Sequence, residues 1–210
     1  MALIYVLDAI KLLINNMNSK LKKFFKSFIW LGIFLYIVDL VTKLLAMKYS
    51  STLMQEPLIL IKGFLRISYV ENKSAAFGIG TNNPQTNRII YTVLALAGFA
   101  YIVYFYIKKN KTLKGLEKAA LVLIATGAIG NLTDRTFFKF SNHCVVDWID
   151  FYGIWPYVFN IADSCVVIGA AMLIIHLIVS EIKASVKKKK ESVNEPKKIL
   201  SKEEIERLKK

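Results

Sequence analysis

Residues 158–179 read VFNIADSCVVIGAAMLIIHLIV, a run apolar enough to cross a membrane except that Asn160 and Asp163 sit near its start. An ionisable side chain inside a membrane helix costs roughly 2.5–3.5 kcal/mol even on lenient insertion scales. That cost calls for a partner or a use, so the rest of the chain must supply one. A hydrocarbon core of about 30 Å needs about 20 apolar residues per helix. Residues 28–47, 89–107 and 157–179 meet that length, and the shorter, small-residue-rich LEKAALVLIATGAIGNLT at 116–133 suits close helix packing in lipid. With 55% of its 210 residues hydrophobic, the chain reads as an α-helical polytopic membrane protein with four transmembrane helices.

The net charge of +14 could point to nucleic acid, but its placement points elsewhere. Residues 1–28 carry five Lys against one Asp, 108–118 five Lys against one Glu, and 181–210 eleven basic against six acidic groups. The two long connections are far less basic, with four basic and two acidic groups at 49–88 and two against three at 134–157. By the positive-inside rule both termini and the middle loop face the cytoplasm, and the long connections face outward. The Lys-rich tail then fits attraction to anionic lipid headgroups better than nucleic-acid binding. Three segments are expected: a cytoplasmic extension at 1–27, a membrane domain at 28–180 and a cytoplasmic tail at 181–210. Residues 1–16 are either an interfacial helix or an extension upstream of a start at Met17. In the first outward connection, branched and aromatic residues alternate around Lys62-Gly63, so two or three short strands are expected between the first and second helices, at the membrane surface.

Topology gives each embedded polar residue a depth. Asp39 and Lys43, spaced i,i+4 on a helix running outward, can pair toward the outer leaflet. Asn131, Asp134 and Arg135 end the third helix on that side, Asn72 and Asp147 lie in the outward connections, and Asp163 enters the fourth helix from outside, about 9 Å below Tyr157. All of them converge on one rim. Asp39 with Lys43 could be only a structural ion pair, Asp134 with Arg135 a helix terminator, and Asn131 and Asn160 interhelical hydrogen-bonders. Asp163 is harder to explain that way. Its best partner is Asp147 in VVDWID, with Asp150 competing. Two carboxylates at a low-dielectric rim share a proton, so that one serves as acid and the other as base, which is how aspartic proteases hydrolyse amides. A proton- or ion-coupled transporter would instead spread carboxylates through the membrane thickness, with inverted repeats that this chain lacks. Cys144, Cys165, His143 and His176 have no ligand-type spacing and receive no chemistry.

Five segments, DLVTK at 39–43, NKSAAFG at 72–78, TGAIGNLTDR at 126–135, VVDWID at 145–150 and FNIADS at 159–164, occur in the order found in the lipoprotein signal peptidase family, and from about residue 25 to 180 the chain resembles it. The resemblance implies removal of the signal peptide from diacylglyceryl-modified prolipoproteins by hydrolysis just before the lipidated cysteine. It implies Asp147 and Asp163 as the catalytic dyad, and Asp39, Lys43, Asn72, Asn131, Asp134, Arg135 and Asn160 as substrate-binding or site-supporting residues. It implies a substrate cradle made by the outward strands, no metal or organic cofactor, and a bacterial cell membrane location with membrane lipids as neighbours. Ser74 and Thr126 stand where the family usually has Gly, and both changes are expected to alter backbone approach to the ligand. The connection from Asp134 to Asp147 looks longer than usual.

Overall fold

In the computed structural model the described residues are 18–19, 23–24, 27–73, 83–138 and 143–194. The N-terminal extension up to residue 17, Ser74 with the rest of its motif, residues 139–142 of the long connection and the tail from 195 lie outside them. Met1–Leu173 and Ile174–Lys210 form two compact units, and the second begins within the last helix.

Four helices are long and apolar enough to cross a membrane. Helix α1 is Ile29–Lys48, followed by a short helix α2, Ser50–Gln55. Strands β1, Leu58–Ile61, and β2, Leu65–Asn72, come next. Helix α3 is Pro84–Lys109, α4 is Gly115–Phe137, β3 is Val145–Asp150 and α5 is Ile161–Asn194. Local sequence explains several boundaries. Asn83 caps α3 by accepting from the Gln85 and Thr86 backbone N–H groups at 2.9 and 3.2 Å. Glu117 reaches back to the Lys114 N–H at 2.7 Å to start α4. The chain turns into α1 through Phe28, which adopts a left-handed φ of 61°.

α4 is the central helix. Half of its most apolar stretch is buried, against none of that of α3, which is half-buried along one side and exposed along the rest. It packs against α1 and α3. Toward the start of α5 the approach is close enough that a Cβ on Gly127 would run into the Ala162 carbonyl oxygen, and one on Gly130 would lie 2.9 Å from the Ala162 Cβ. The neighbouring Thr126 turns away from α5, toward Gly32 of α1. The substitution expected to alter ligand approach therefore lies at a helix–helix contact.

The sheet corrects two expectations. It is antiparallel in the order β1-β2-β3, so its third strand comes from between α4 and α5, and the sheet is not confined to the connection between the first two helices. VVDWID is that strand, a role the sequence reading did not assign to it. It also changes where the last helix begins. Phe159 bridges to Ile149, accepting from the Ile149 N–H at 2.8 Å and donating back at 3.0 Å, so the chain just before the helix is tied to the sheet at Phe159. The helix starts at residue 161, and Asp163 lies in its first turn, not two turns into a helix beginning at 157. Val146 and Tyr69 bury their side chains with Ala46 of α1 and Leu53 of α2, which fixes the sheet to the end of the first helix.

Candidate active site

Lys43 is the hub of the buried polar cluster. Its side chain is fully inaccessible, and its ammonium meets Asp39 Oδ2 at 2.8 Å, Asp134 Oδ2 at 2.9 Å and Asn131 Oδ1 at 3.1 Å. An ammonium has three donors, and three acceptors surround it. The expected i,i+4 pairing of Asp39 with Lys43 is present, but Asp134 shares the same cation. Each carboxylate also ties the hub to another element. Asp39 Oδ1 accepts the Ala162 N–H at 2.9 Å, in the first turn of α5, and Asp134 Oδ2 accepts the Val146 N–H of β3 at 3.1 Å. Asp39 is thus a helix cap supplied from another helix, a role that no sequence spacing announces.

Asn160 joins the two carboxylates singled out from the sequence. Its Oδ1 accepts the Asp163 N–H at 2.8 Å, while Asp163 Oδ2 accepts the Asn160 N–H at 3.3 Å, a reciprocal capping box. The amide of the same Asn160 donates to Asp147 Oδ1 at 2.7 Å. Asn131 donates to Asp163 Oδ1 at 2.7 Å, and Asn72 to Asp147 Oδ2 at 2.9 Å. Asn72 can reach Asp147 because β2 and β3 pair Val70 with Asp147 and Asn72 with Val145, which makes the two residues diagonal neighbours. Burial pushes the Asp147 carboxyl up to about 8, the charge of Asp163 adds to the rise, and the bond from Asn72, the charge of Lys43 and the bond from Asn160 act against it. Asp163 is only half-buried, which leaves the pair open on one side.

Asp150 belongs elsewhere. It accepts from Arg66 Nε at 2.7 Å and Ser68 Oγ at 2.8 Å, and the Arg66 guanidinium lies 4.8 Å from the centre of the Tyr152 ring. Side chains alternate along a strand, so Asp147 and Asp150, three apart, point to opposite faces. Arg66 and Ser68 were not foreseen from the sequence; the alternation of β2 against β3 is the signal that finds them. Arg135 bonds the Asn131 carbonyl at 3.3 Å and lies 5.7 Å from the centre of the Tyr91 ring, close enough to both carboxylates of the pair to feel their charge. All nine expected site residues therefore occupy one connected region, with Arg135 at its margin. Among the described residues no three His, Cys, Asp or Glu side chains converge as a metal site would require.

The signal peptidase II family model matches residues 31–179, a span that contains this whole region. The chain belongs to the signal peptidase II family. The role of that family is to cleave signal peptides from prolipoproteins. Among curated relatives, the lipoprotein signal peptidase of Fusobacterium nucleatum is 35% identical over 161 residues, covering 76% of this chain and 91% of the relative. That of Clostridium tetani is 41% identical over 145 residues, covering 68% and 86%. A bacterial membrane enzyme structure obtained by the in meso method at 2.3 Å resolution superposes with a TM-score of 0.61 at 28% identity, covering 82% of this chain and 93% of that one. As a member of the signal peptidase II family the chain is a multi-pass membrane protease.

Proposed function

We propose that the chain is an aspartic endopeptidase in which Asp147 and Asp163 form the catalytic dyad, cleaving diacylglyceryl-modified prolipoproteins just before the lipidated cysteine. The observation that carries this reading is the junction at Asn160, which bonds one carboxylate from a strand and one from a helix in a largely water-excluded site. One member of the pair holds a proton while the other, ionised, takes a proton from the attacking water. The protonated member then delivers its proton to the leaving amine as the tetrahedral intermediate breaks. Asn72, Asn131 and Asn160 orient the two carboxylates. Asp39, Lys43 and Asp134 hold α1, α4, β3 and α5 in register behind them. Arg135 supports the open side.

The basic segments support a topology with both termini cytoplasmic, the sheet outside and the dyad at the outer leaflet, where a substrate anchored by its acyl chains presents the scissile bond. The same pattern supports a membrane domain at 28–180 between a cytoplasmic extension and a Lys-rich tail. The test uses purified protein in detergent with a diacylglyceryl-modified prolipoprotein. Asp147→Asn and Asp163→Asn should each lower turnover by at least about 10²-fold, the contribution of a positioned acid or base. Asp150→Asn should keep most of it. Undiminished turnover in either dyad variant would remove that residue from the mechanism.

A further inference from the structure

A groove of about 460 Å³ lies between α1, α3 and α4, on a face of α4 different from the one that carries Asn131. Ile29, Ile33, Phe99, Val103, Leu121 and Ala125 are among the residues that line it. Two tyrosines border it, and both hydroxyls are engaged, Tyr36 with Thr133 at 3.1 Å and Tyr106 with the Ser27 carbonyl at 2.7 Å. The groove offers hydrocarbon contact, and its charge is gathered at one end. There Lys109 follows the lining residue Tyr106 by three positions on α3 and Lys118 precedes Leu121 by three on α4, so each lies about one turn beyond the groove on its lined face. Lys108 donates to the Tyr104 hydroxyl at 2.7 Å, so Lys109 and Lys118 are the cations best placed for a ligand. Toward the level of the dyad the basic side chains among the described residues are Arg88 and Arg135, which lie further along α3 and α4 than the lining residues Phe99 and Ile129, and Arg88 is held by the Arg135 carbonyl at 3.1 Å.

From this asymmetry we propose that the groove binds an anionic phospholipid, with one acyl chain between the three helices and the phosphate at the lysines. A substrate occupant fits less well. The basic amino-terminal region of a signal peptide would face the same lysines and be repelled, and substrate diacylglyceryl chains enter from the opposite, dyad end. The topology proposed above decides only which leaflet supplies the lipid, here the cytoplasmic one.

The full-length protein, purified in a mild detergent, is titrated with phosphatidylglycerol or with phosphatidylcholine of the same acyl chains, and bound lipid is read by native mass spectrometry. Phosphatidylglycerol should bind at least tenfold more tightly, by roughly fivefold per nearby lysine. Lys109→Gln with Lys118→Gln should abolish that preference while leaving phosphatidylcholine binding unchanged. Ala125→Phe, which fills the groove, should weaken both lipids, and Val103→Trp at its lip does the same should Ala125→Phe not fold. Equal binding of the two lipids by the unmodified protein overturns the proposal, as does undiminished phosphatidylglycerol binding in the double lysine variant. Displacement of bound lipid by a diacylglyceryl-modified prolipoprotein overturns it too, because the groove would then belong to the substrate. Lipid mass is read without any cleavage, so this result and the dyad test fail separately.

Discussion

Replacing Lys43 by Met should unfold the membrane domain far more readily than its volume change suggests. The side chain is fully buried, and its ammonium is the shared counter-ion of Asp39 and Asp134, which are themselves at most 3% exposed. Removing one partner of a buried ion pair costs about 3–5 kcal/mol, because the charge left behind has neither water nor a counter-ion. Here two carboxylates are left facing each other, so the upper part of that range applies. For a protein of this length it corresponds to a drop in Tm on the order of 10 °C. Thermal unfolding in detergent, followed by tryptophan fluorescence, measures it.

The decisive comparison is the triple variant Lys43→Met with Asp39→Asn and Asp134→Asn. An Asn at either position keeps an oxygen to accept the Ala162 or Val146 N–H, so the backbone ties survive while both orphaned charges disappear. Most of the lost Tm should return. A single variant within about 2 °C of the unmodified protein, or a triple variant no better than the single one, would refute the electrostatic reasoning and leave packing as the cause.

Burial raises Asp147 from 3.8 to about 8, so between those values the folded state holds a proton that the unfolded chain releases, and stability falls as pH rises across that window. Asp147→Asn, which has nothing to ionise, should therefore gain in Tm over the unmodified protein between pH 5 and pH 8, and a constant difference would contradict the assigned shift. On the proposed mechanism, cleavage should also decline above about pH 8, where the shared proton is lost. Gly127→Val should abolish both folding yield and cleavage, since a side chain there meets the Ala162 carbonyl that leads into the Asp163 turn; retention of activity would show that α4 and α5 can separate without consequence. Arg66→Gln leaves Asp150 with the Ser68 hydroxyl as its remaining side-chain donor and should lower Tm by a few degrees, about 1–2 kcal/mol, with any change in cleavage no greater than the loss of folded protein explains.

The helices were legible because lipid imposes a length and an apolar composition that stand out along the chain; α1 departs from its expected bounds by one residue at each end. The pairing of Asp39 with Lys43 was legible for a similar reason, as i,i+4 spacing on one helix is local information. VVDWID was not read as a strand, because its alternation is short and its partner strand lies about 75 residues upstream, beyond two helices. That omission left Asp150 as a competitor when Asp147 was preferred. Once the segment is a strand, a period of two places them on opposite faces, with Asp147 beside Asn160 and Asp150 beside Arg66 and Ser68. The displaced start of α5 has the same origin. Residues 157–160 are apolar enough for a helix, but the sheet takes the Phe159 backbone.

The distribution of donors says why the buried lysine is set back from the pair. Lys43 gives all three of its hydrogens to Asp39, Asp134 and Asn131, and none to Asp147 or Asp163. Among the described residues, the hydrogen bonds to those two come from amides: side chains of Asn72, Asn131 and Asn160, and the Asn160 backbone. An amide aims a carboxylate without cancelling its charge. A lysine set directly between the pair would favour both carboxylates ionised and would remove the proton that the proposed mechanism must deliver to the leaving amine. Placing the cation one layer back lets it fix the scaffold while the pair keeps its need for a shared proton. Asn131 is where the layers meet, since its carbonyl oxygen takes the Lys43 hydrogen and its amide gives one to Asp163. The ammonium therefore reaches the pair by its charge from one layer back and by the direction in which it holds Asn131, so on the proposed mechanism a fully buried lysine sets the geometry of two carboxylates that it does not bond.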